Sequence, residues 1–380
     1  MNILFVHDHR FYEQNGIYFS PKFNKDVWAP YVMNNNNVVV YARRTNKQCT
    51  QIASANRVSF VLSRFYSNGI SAIRNYFKIR KELTPLVMRA DKIIIRMPSV
   101  LGCMVASVAK KYHKNIMAEV VGSAFDSYWY YGSISGKLLA PMYHVLNKRA
   151  IKLCDTAIYV TQEYLQNKYP NDKEMYACSD AIVQQASDDV LLRRLNKIYE
   201  RKDRLICGEI GNISIPYKGY EVMLKAMAVL IDKNIDIEYH IVGGGNPAHV
   251  LNMARKLGID NRVFYDDVLD HAKIDEFFDK IDIYVHPSFT EGLPRVVIEA
   301  ISRGCPCLTS DAGGTPELIQ PQYIHNAGDY HKLANDIIIF EHNKNTMALA
   351  AKYNYHHSKL YDISVLAPKR LLFYKKFLAK

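Results

Sequence analysis

The chain of 380 residues contains no uninterrupted apolar run approaching the roughly 20 residues that a membrane-spanning helix requires. Residues 222–231 come nearest, and Lys225 interrupts them. The opening MNILFVHDH is too short an apolar stretch for a secretory signal, and no small-residue cleavage site follows. A soluble, cytoplasmic protein is expected, meeting a membrane only at its surface. The seven cysteines, an odd number, show neither zinc spacing nor a disulfide framework, so all are expected to be reduced and mostly structural. The 13 histidines include no His-Glu-x-x-His pattern, and no Asp-x-Asp closes a strand, so no metal and no cofactor is expected. No segment is low-complexity, which excludes a disordered chain.

Acidic residues are scarce in one half. Residues 1–190 hold 24 Lys+Arg against 14 Asp+Glu, whereas residues 191–380 hold 25 against 23. Within residues 57–114 the count is 12 against 2, and residues 365–380 add five basic residues and no acid. A net charge of +12 distributed so unevenly implies an anionic partner for the N-terminal half. No RNA- or DNA-binding motif accompanies it, so nucleic acid is not the expected partner. Arg74, Lys78 and Lys81 recur at helical spacing, with Ile73 and Phe77 on a neighbouring stripe. That is the pattern of a basic amphipathic helix on an anionic membrane. Leu371, Leu372, Phe373 and Phe377 beside Lys375, Lys376 and Lys380 repeat it. The alternative is a solvated basic face whose apolar stripe packs in the core.

Length predicts two domains, at about 150 residues each. Strands are predicted at residues 2–7, 38–41, 92–96, 116–121 and 156–160, with a helix at 99–112. The pattern then restarts, with strands at 205–211, 238–242, 262–265, 281–286 and 306–309 and helices at 219–231 and 295–303. Such alternation predicts parallel α/β sheets with right-handed crossovers, in two Rossmann-like units. The polar stretch 178–204 is the expected linker. Open sheets of this kind bind ligands at the carboxyl ends of their strands.

The most informative segment is SFTEGLPRVVIE, residues 288–299. It follows a buried strand, and Pro294 suits the first turn of a helix. Glu291 lies before that helix and Glu299 within it. Eight helical residues would span about 12 Å, too far for a hydrolase acid–base pair across one bond. The spacing fits two carboxylates gripping two parts of one long ligand, or a helix that merely carries two glutamates. The aromatic run Tyr128-Trp129-Tyr130-Tyr131 suits sugar stacking, a membrane interface or core packing.

The run from Glu291-Gly292-Leu293-Pro294 to Glu299 resembles the E-x7-E signature of retaining glycosyltransferases of the GT-B fold, family 4. Further elements of that family appear in order: Gly211, Tyr217-Lys218-Gly219-Tyr220, Ile241-Val242-Gly243-Gly244-Gly245, and SDAGGTPE at residues 310–317. The N-terminal half resembles the family weakly. The resemblance implies a GT-B architecture: α/β, with two facing Rossmann-like domains and a cleft between them. Residues 1–190 would bind the acceptor, with a final helix 365–380 packed back on them, and residues 191–364 would bind the donor.

It also implies roles. Glu299 would bind the ribose, and Glu291 with the amides after it the donor sugar. Lys218 and the turn Gly243-Gly244-Gly245 would hold the diphosphate. Gly292, Leu293, Pro294, Asn212 and Gly16 complete the donor-binding set. The family's usual arginine after the strand at 205–211 is replaced by Asn212-Ile213-Ser214, with Arg295 the candidate substitute. Its frequent histidine after the strand at 116–121 is also missing. Glu119 or Asp126 would then serve near the anomeric carbon, and Asp126 joins Lys218 and Glu291 in the catalytic set. The expected reaction transfers a sugar from a UDP- or GDP-sugar to a carbohydrate or lipid-diphosphate-linked glycan, without metal, at the inner face of the membrane. Bacterial surface-polysaccharide assembly is the implied setting. A sugar-nucleotide epimerase shares the fold and donor but has no use for a basic face. Gly243–Ala248 also fits a dinucleotide fingerprint, the mark of an NAD-dependent oxidoreductase.

Overall fold

In the computed structural model, which describes residues 1–131, 133–202 and 204–380 (backbone alone at 271 and 272), the strands form two sheets. The first contains β1 (Asn2–Gln14), β2 (Ile17–Phe19), β3 (Asn37–Arg44), β4 (Val58–Ser63), β5 (Lys92–Met97), β6 (Asn115–Val120), β7 (Thr156–Tyr159) and β8 (Met175–Ala177). Its order is β4-β3-β1-β5-β6-β7-β8, parallel throughout, with β2 folded back antiparallel on β1. The second contains β9 (Leu205–Ile210), β10 (Ile237–Val242), β11 (Val263–Asp266), β12 (Ile283–His286), β13 (Cys307–Ser310) and β14 (Ile324–His325). Its order is β11-β10-β9-β12-β13-β14, all parallel.

Two compact units result. Met1–Phe125, Leu138–Cys178 and Pro368–Lys380 form one; Asp126–Lys137 and Ser179–Ala367 form the other. Each is Rossmann-like: parallel strands joined by helices, with central strands buried on both faces. Such strands read as continuous apolar runs, as in Ile3-Leu4-Phe5-Val6 and Ile93-Ile94-Ile95, all almost wholly buried. Every expected strand is present, and the expected helices are Val100–Lys111, Tyr220–Asp232 and Arg295–Ser302. Stretch 178–204 is not a plain linker. It contains the helix Asp188–Glu200, which buries Val190, Leu191 and Ile198, and its Arg194 is buried among the carbonyls of Phe278 and Ile281.

In the first unit the start of the helix Val100–Lys111 is already occupied by the protein's own charge, from Asp8 midway along β1. Asp8 accepts hydrogen bonds from the amides of Val100 (2.7 Å) and Leu101 (3.0 Å) and from Ser99 Oγ (2.8 Å) and Tyr66 (2.9 Å). A carboxylate thus fills the positive end of the helix Val100–Lys111, the place where a Rossmann-like unit would otherwise receive a phosphate.

Glu119, weighed above as a residue for the anomeric carbon, is a structural group instead. It lies on β6 with no exposure to solvent. Tyr31 donates to Oε1 at 2.6 Å and Tyr374 does so as well, while Arg96 pairs with Oε2 at 2.8 Å and Arg370 lies 3.6 Å from it. Burial pushes this carboxyl up, but the two guanidinium groups and the tyrosines overcome it and hold the group below its usual range. Two of these partners come from the final helix, Ile363–Ala379. Of the apolar residues read as its stripe, Leu371 is half-buried and Leu372 exposed, while the rest pack inward. Phe373, Tyr374, Phe377 and Leu378 are buried, Phe373 stacks on Tyr176 at 4.1 Å, and Lys380 pairs with Glu174. The packed-stripe alternative holds for Phe373 and Phe377.

Removing one partner of a buried ion pair leaves the others uncompensated. Glu119→Ala should therefore lower the stability of the first unit by about 3–5 kcal/mol, and Glu119→Gln, which keeps acceptors for the tyrosines, by less. Urea unfolding with hydrogen exchange read on β6 and residues 368–380 checks this; unchanged protection in Glu119→Ala would refute it.

Candidate functional site

Three loops of the second unit meet at the carboxyl ends of its strands. The first follows β9 and reaches Lys218-Gly219 before the helix Tyr220–Asp232. Gly219 has φ +83°, and a Cβ there would lie 2.0 Å from the carbonyl oxygen of Pro287. Only glycine lets this loop press against the second, which follows β12, and the amide of Phe289 donates to Tyr217 O at 2.7 Å. The third loop, after β13, presses from the other side. Gly313 has φ +62°, and a Cβ there would be 1.9 Å from Glu291 O; the Gly314 amide donates to Gly292 O at 2.8 Å.

Glu291 is the meeting point. Lys218 Nζ lies 2.7 Å from its Oε1, and His286 Nε2 lies 2.9 Å from the same oxygen. Among the described residues nothing bonds Oε2. Burial pushes the carboxyl up, but the Lys218 ammonium and the His286 hydrogen bond outweigh it and hold the group at about 2. Burial pulls the Lys218 ammonium down, and Glu291 more than restores it, so it titrates above its usual value. Burial pulls His286 below its ordinary value, against the opposing bond to Glu291. The imidazole is therefore neutral, with Nε2–H donating to the carboxylate and Ser288 Oγ at 3.3 Å beside it.

The remaining predicted donor residues sort around this centre. A Cβ on Gly211 would meet Lys218 Cδ at 3.6 Å, and a Cβ on Gly243 would meet Gly211 O at 2.0 Å, so the glycine turn adjoins the Lys218 loop. The Ile213 amide donates to Gly244 O at 3.0 Å, and a Cβ on Gly245 would meet Asn212 Oδ1 at 2.7 Å. Asn212 and Gly243–Gly245 thus form one patch. Pro294 is the N-cap of the helix, not its first residue, and the helix begins at Arg295. Only part of the E-x7-E interval is therefore helical, and the full 12 Å helical span does not apply. Leu293 is buried, Glu299 half-buried and Arg295 exposed.

Asp126 lies in the segment that carries Tyr130. It belongs to the second unit and lies in the helix Ala124–Trp129. Its carbonyl accepts from the Tyr130 amide, and Tyr130 stacks on Phe289 at 5.9 Å. Burial and then the charges of Asp126 and Asp311 raise the Tyr130 hydroxyl above its usual value. Gly16 belongs to the first unit, where it has φ +77° beside Asn15 in the two-residue turn joining β1 to β2.

Two residues escaped the sequence reading. His286 ends β12, a position at which strand-end side chains reach ligands. Glu209 lies inside the apolar strand LICGEI, a charge in a buried run that was itself a signal. Burial pushes Glu209 up to about 8, against a hydrogen bond from Tyr239. Its Oε1 has no partner among the described residues. Those residues contain no group of three or more His, Cys, Asp or Glu able to hold a metal, and no helix long and apolar enough to cross a membrane. All seven cysteines are free, and five are buried.

Residues 193–357 match the family described as Glycosyl transferases group 1. Over 386 aligned positions the chain is 34% identical to Protein CapJ of Staphylococcus aureus, covering all of this chain and 97% of that protein. Among solved structures, sucrose-phosphate synthase from Thermosynechococcus elongatus superposes with a TM-score of 0.72 at 14% identity, covering 100% of this chain and 99% of that one. HepE of Anabaena in complex with UDP superposes with a TM-score of 0.68 at 15% identity, covering 99% and 100%. The match to such structures establishes a GT-B type fold built from two parallel-sheet α/β units.

A raised carboxyl pKa stabilises the fold fully below the unfolded value and loses that contribution as pH rises through the folded one. For Glu209 that window runs from the ordinary glutamate value, about 4.5, to about 8. Glu209→Gln should therefore gain stability over wild type as pH rises from about 5 to 9, by several kcal/mol at the upper end. Thermal melts of both proteins across that range check it, and parallel pH curves would contradict it.

Proposed function

This chain belongs to the glycosyl transferases group 1 family and is a glycosyltransferase, and we propose that it moves a sugar from a UDP- or GDP-sugar to a carbohydrate hydroxyl with retention of anomeric configuration, as in family 4. The observation that carries this reading is the Glu291 carboxylate, held ionised by Lys218 and His286 at one oxygen. Its other oxygen accepts a donor-sugar hydroxyl. The donor belongs to the second unit, since in the first Asp8 occupies the helix end that would take a phosphate.

Lys218 meets the diphosphate of the bound donor and stabilises the negative charge that grows on the leaving group. The amides of Gly292 and Leu293 and the turn Gly243–Gly245 share that task. Glu299 accepts the ribose hydroxyls, and Arg295, exposed at the helix start, supplies the second cation. Asp126 faces the anomeric carbon from the segment that carries Tyr130. The departing phosphate oxygen takes the proton of the incoming hydroxyl on the same face. No step needs a metal. HepE in complex with UDP supports UDP as the nucleotide. The acceptor is a lipid-diphosphate-linked glycan at the inner face of the membrane, in surface-polysaccharide assembly, a reading supported by the excess of basic residues in 1–190.

Profiling hydrolysis of a panel of nucleotide sugars by the purified protein identifies the donor, and the anomeric configuration of the product tests retention; an inverted product overturns it. Activity should survive EDTA. Loss on chelation, restored by Mg²⁺ or Mn²⁺, defeats the metal-free mechanism. Glu299→Ala removes hydrogen bonds to charge worth about 1.5–3 kcal/mol each, so nucleoside diphosphate should bind roughly ten- to a hundred-fold more weakly. Glu291→Ala should cost turnover more than nucleotide affinity. Calorimetry and kinetics on the two variants separate these roles, and wild-type nucleotide affinity in Glu299→Ala would remove the ribose assignment.

A further inference from the structure

We propose that Arg10 and Arg43 form an oxyanion site in the first unit, one that takes a phosphoryl group. Arg10 stands on β1 and Arg43 near the end of β3, and the two are register partners across this parallel pair. Like charges opposed on neighbouring strands repel. Here they are nevertheless drawn together: both guanidinium groups donate to one acceptor, Ser67 O, that of Arg10 at 2.9 Å. A carbonyl carries no full charge, so two cations share a single dipole and neither is neutralised.

The protein supplies no counter-ion. Among the described residues neither guanidinium pairs with a carboxylate, and nor does Lys22. The neighbouring carboxylates are spent elsewhere, Asp8 on the amides of Val100 and Leu101 and Glu13 on Arg44. Arg43 Nε is buried without a partner among the described residues, a second sign that this side chain is not satisfied internally. Burial, and after it the charges of Lys22 and Arg43, hold His9 down to about 4, so its imidazole is neutral and the charge belongs to the three longer side chains. The site is also held in place before any ligand arrives. Arg43 lies 4.3 Å over the ring of Tyr66, whose hydroxyl is tied to Asp8. The Ser67 amide donates to Ser71 Oγ at 2.9 Å, within the cap of the helix Gly69–Arg74.

Charge and geometry select the ligand. Guanidinium forks bind oxyanions through paired parallel hydrogen bonds. A single carboxylate would leave most of the charge of Arg10, Arg43 and Lys22 unmatched, whereas a phosphoryl group brings about two negative charges at neutral pH. Neither arginine lies in the basic segments 57–114 and 365–380, so the site is separate from the charge asymmetry of the chain as a whole. The same chemistry has two sources, the diphosphate of a linked acceptor and a free phosphate ion. Only the first of these rests on the acceptor proposed above; the site itself does not.

Calorimetry on the full-length protein tests this with inorganic pyrophosphate, geranyl diphosphate and glucuronate as probes. Arg10→Gln should bind pyrophosphate roughly tenfold more weakly than wild type or worse, and Arg10→Lys, which keeps the charge but not the fork, should fall between them. The same loss should appear when Arg10→Gln is made in Lys218→Ala, where the donor site lacks its cation. Without ligand, Arg10→Gln should melt no lower than wild type, because Arg43 still bonds Ser67 O and the repulsion is gone. Geranyl diphosphate bound as tightly as pyrophosphate supports the site and assigns its ligand to a linked acceptor; pyrophosphate bound alone supports the site and assigns its ligand to a free anion. Four results overturn the proposal: pyrophosphate affinity unchanged in Arg10→Gln, a loss that disappears in the Lys218→Ala background, a lower melting temperature of ligand-free Arg10→Gln, or glucuronate bound in preference to both phosphates. Arginine-dependent binding by a protein that hydrolyses no nucleotide sugar would support the site and count against the donor assignment alone.

Discussion

A carboxylate that stays ionised out of water must be surrounded by donors and cations, and at Glu291 the loop after β9 and the end of β12 supply them while a third loop braces the backbone. Lys218 comes from the loop after β9 and His286 from the end of β12, and after β13 Gly313 packs against the Glu291 carbonyl while the Gly314 amide donates to Gly292 O. Two glycines with left-handed backbone make the loops fit without collision. The electrostatics and the steric constraint support one another: with any side chain at 219 or 313 the loops could not close, and the carboxylate would lose the neighbours that keep it charged. The result is a charged group already oriented before any ligand arrives, which is what transition-state stabilisation requires.

Four acidic side chains in this protein meet four different fates, and their surroundings explain each. Asp8 is consumed as a helix cap, and Glu119 by two arginines and two tyrosines; both serve the first unit's own structure. Glu209 is buried without a cation in contact and is pushed towards its neutral form. Glu291 alone pairs a fixed charge with an oxygen left open. The four fates follow from how completely each charge is satisfied internally.

The basic character of the N-terminal half divides in the same way. In the final helix Phe373, Tyr374, Phe377 and Leu378 turn inward, and Arg370 and the following Lys380 are spent on Glu119 and Glu174. Around Phe77 and Leu138 the apolar side chains turn outward, beside exposed basic residues. Two stretches with one sequence pattern thus have opposite meanings, because one has a sheet edge to pack on and the other has already filled its core contacts.

Much of the fold was legible in the residues alone. Long apolar runs such as Ile3–Val6 announce strands buried on both faces, whereas β8 and β14 are too short to leave a periodic signal and β4 mixes polar and apolar residues at a sheet edge. The family motifs identified Lys218, Glu291 and the glycine turn because their chemistry depends on residue type and order, which sequence records. Contacts between residues distant in the chain are not recorded there. No spacing rule joins Glu119 to Arg370, or His286 and Lys218 to one oxygen of Glu291. Nor does a helical repeat disclose which of its faces is covered. Burial depends on what else occupies the space, and that is decided when the chain closes on itself.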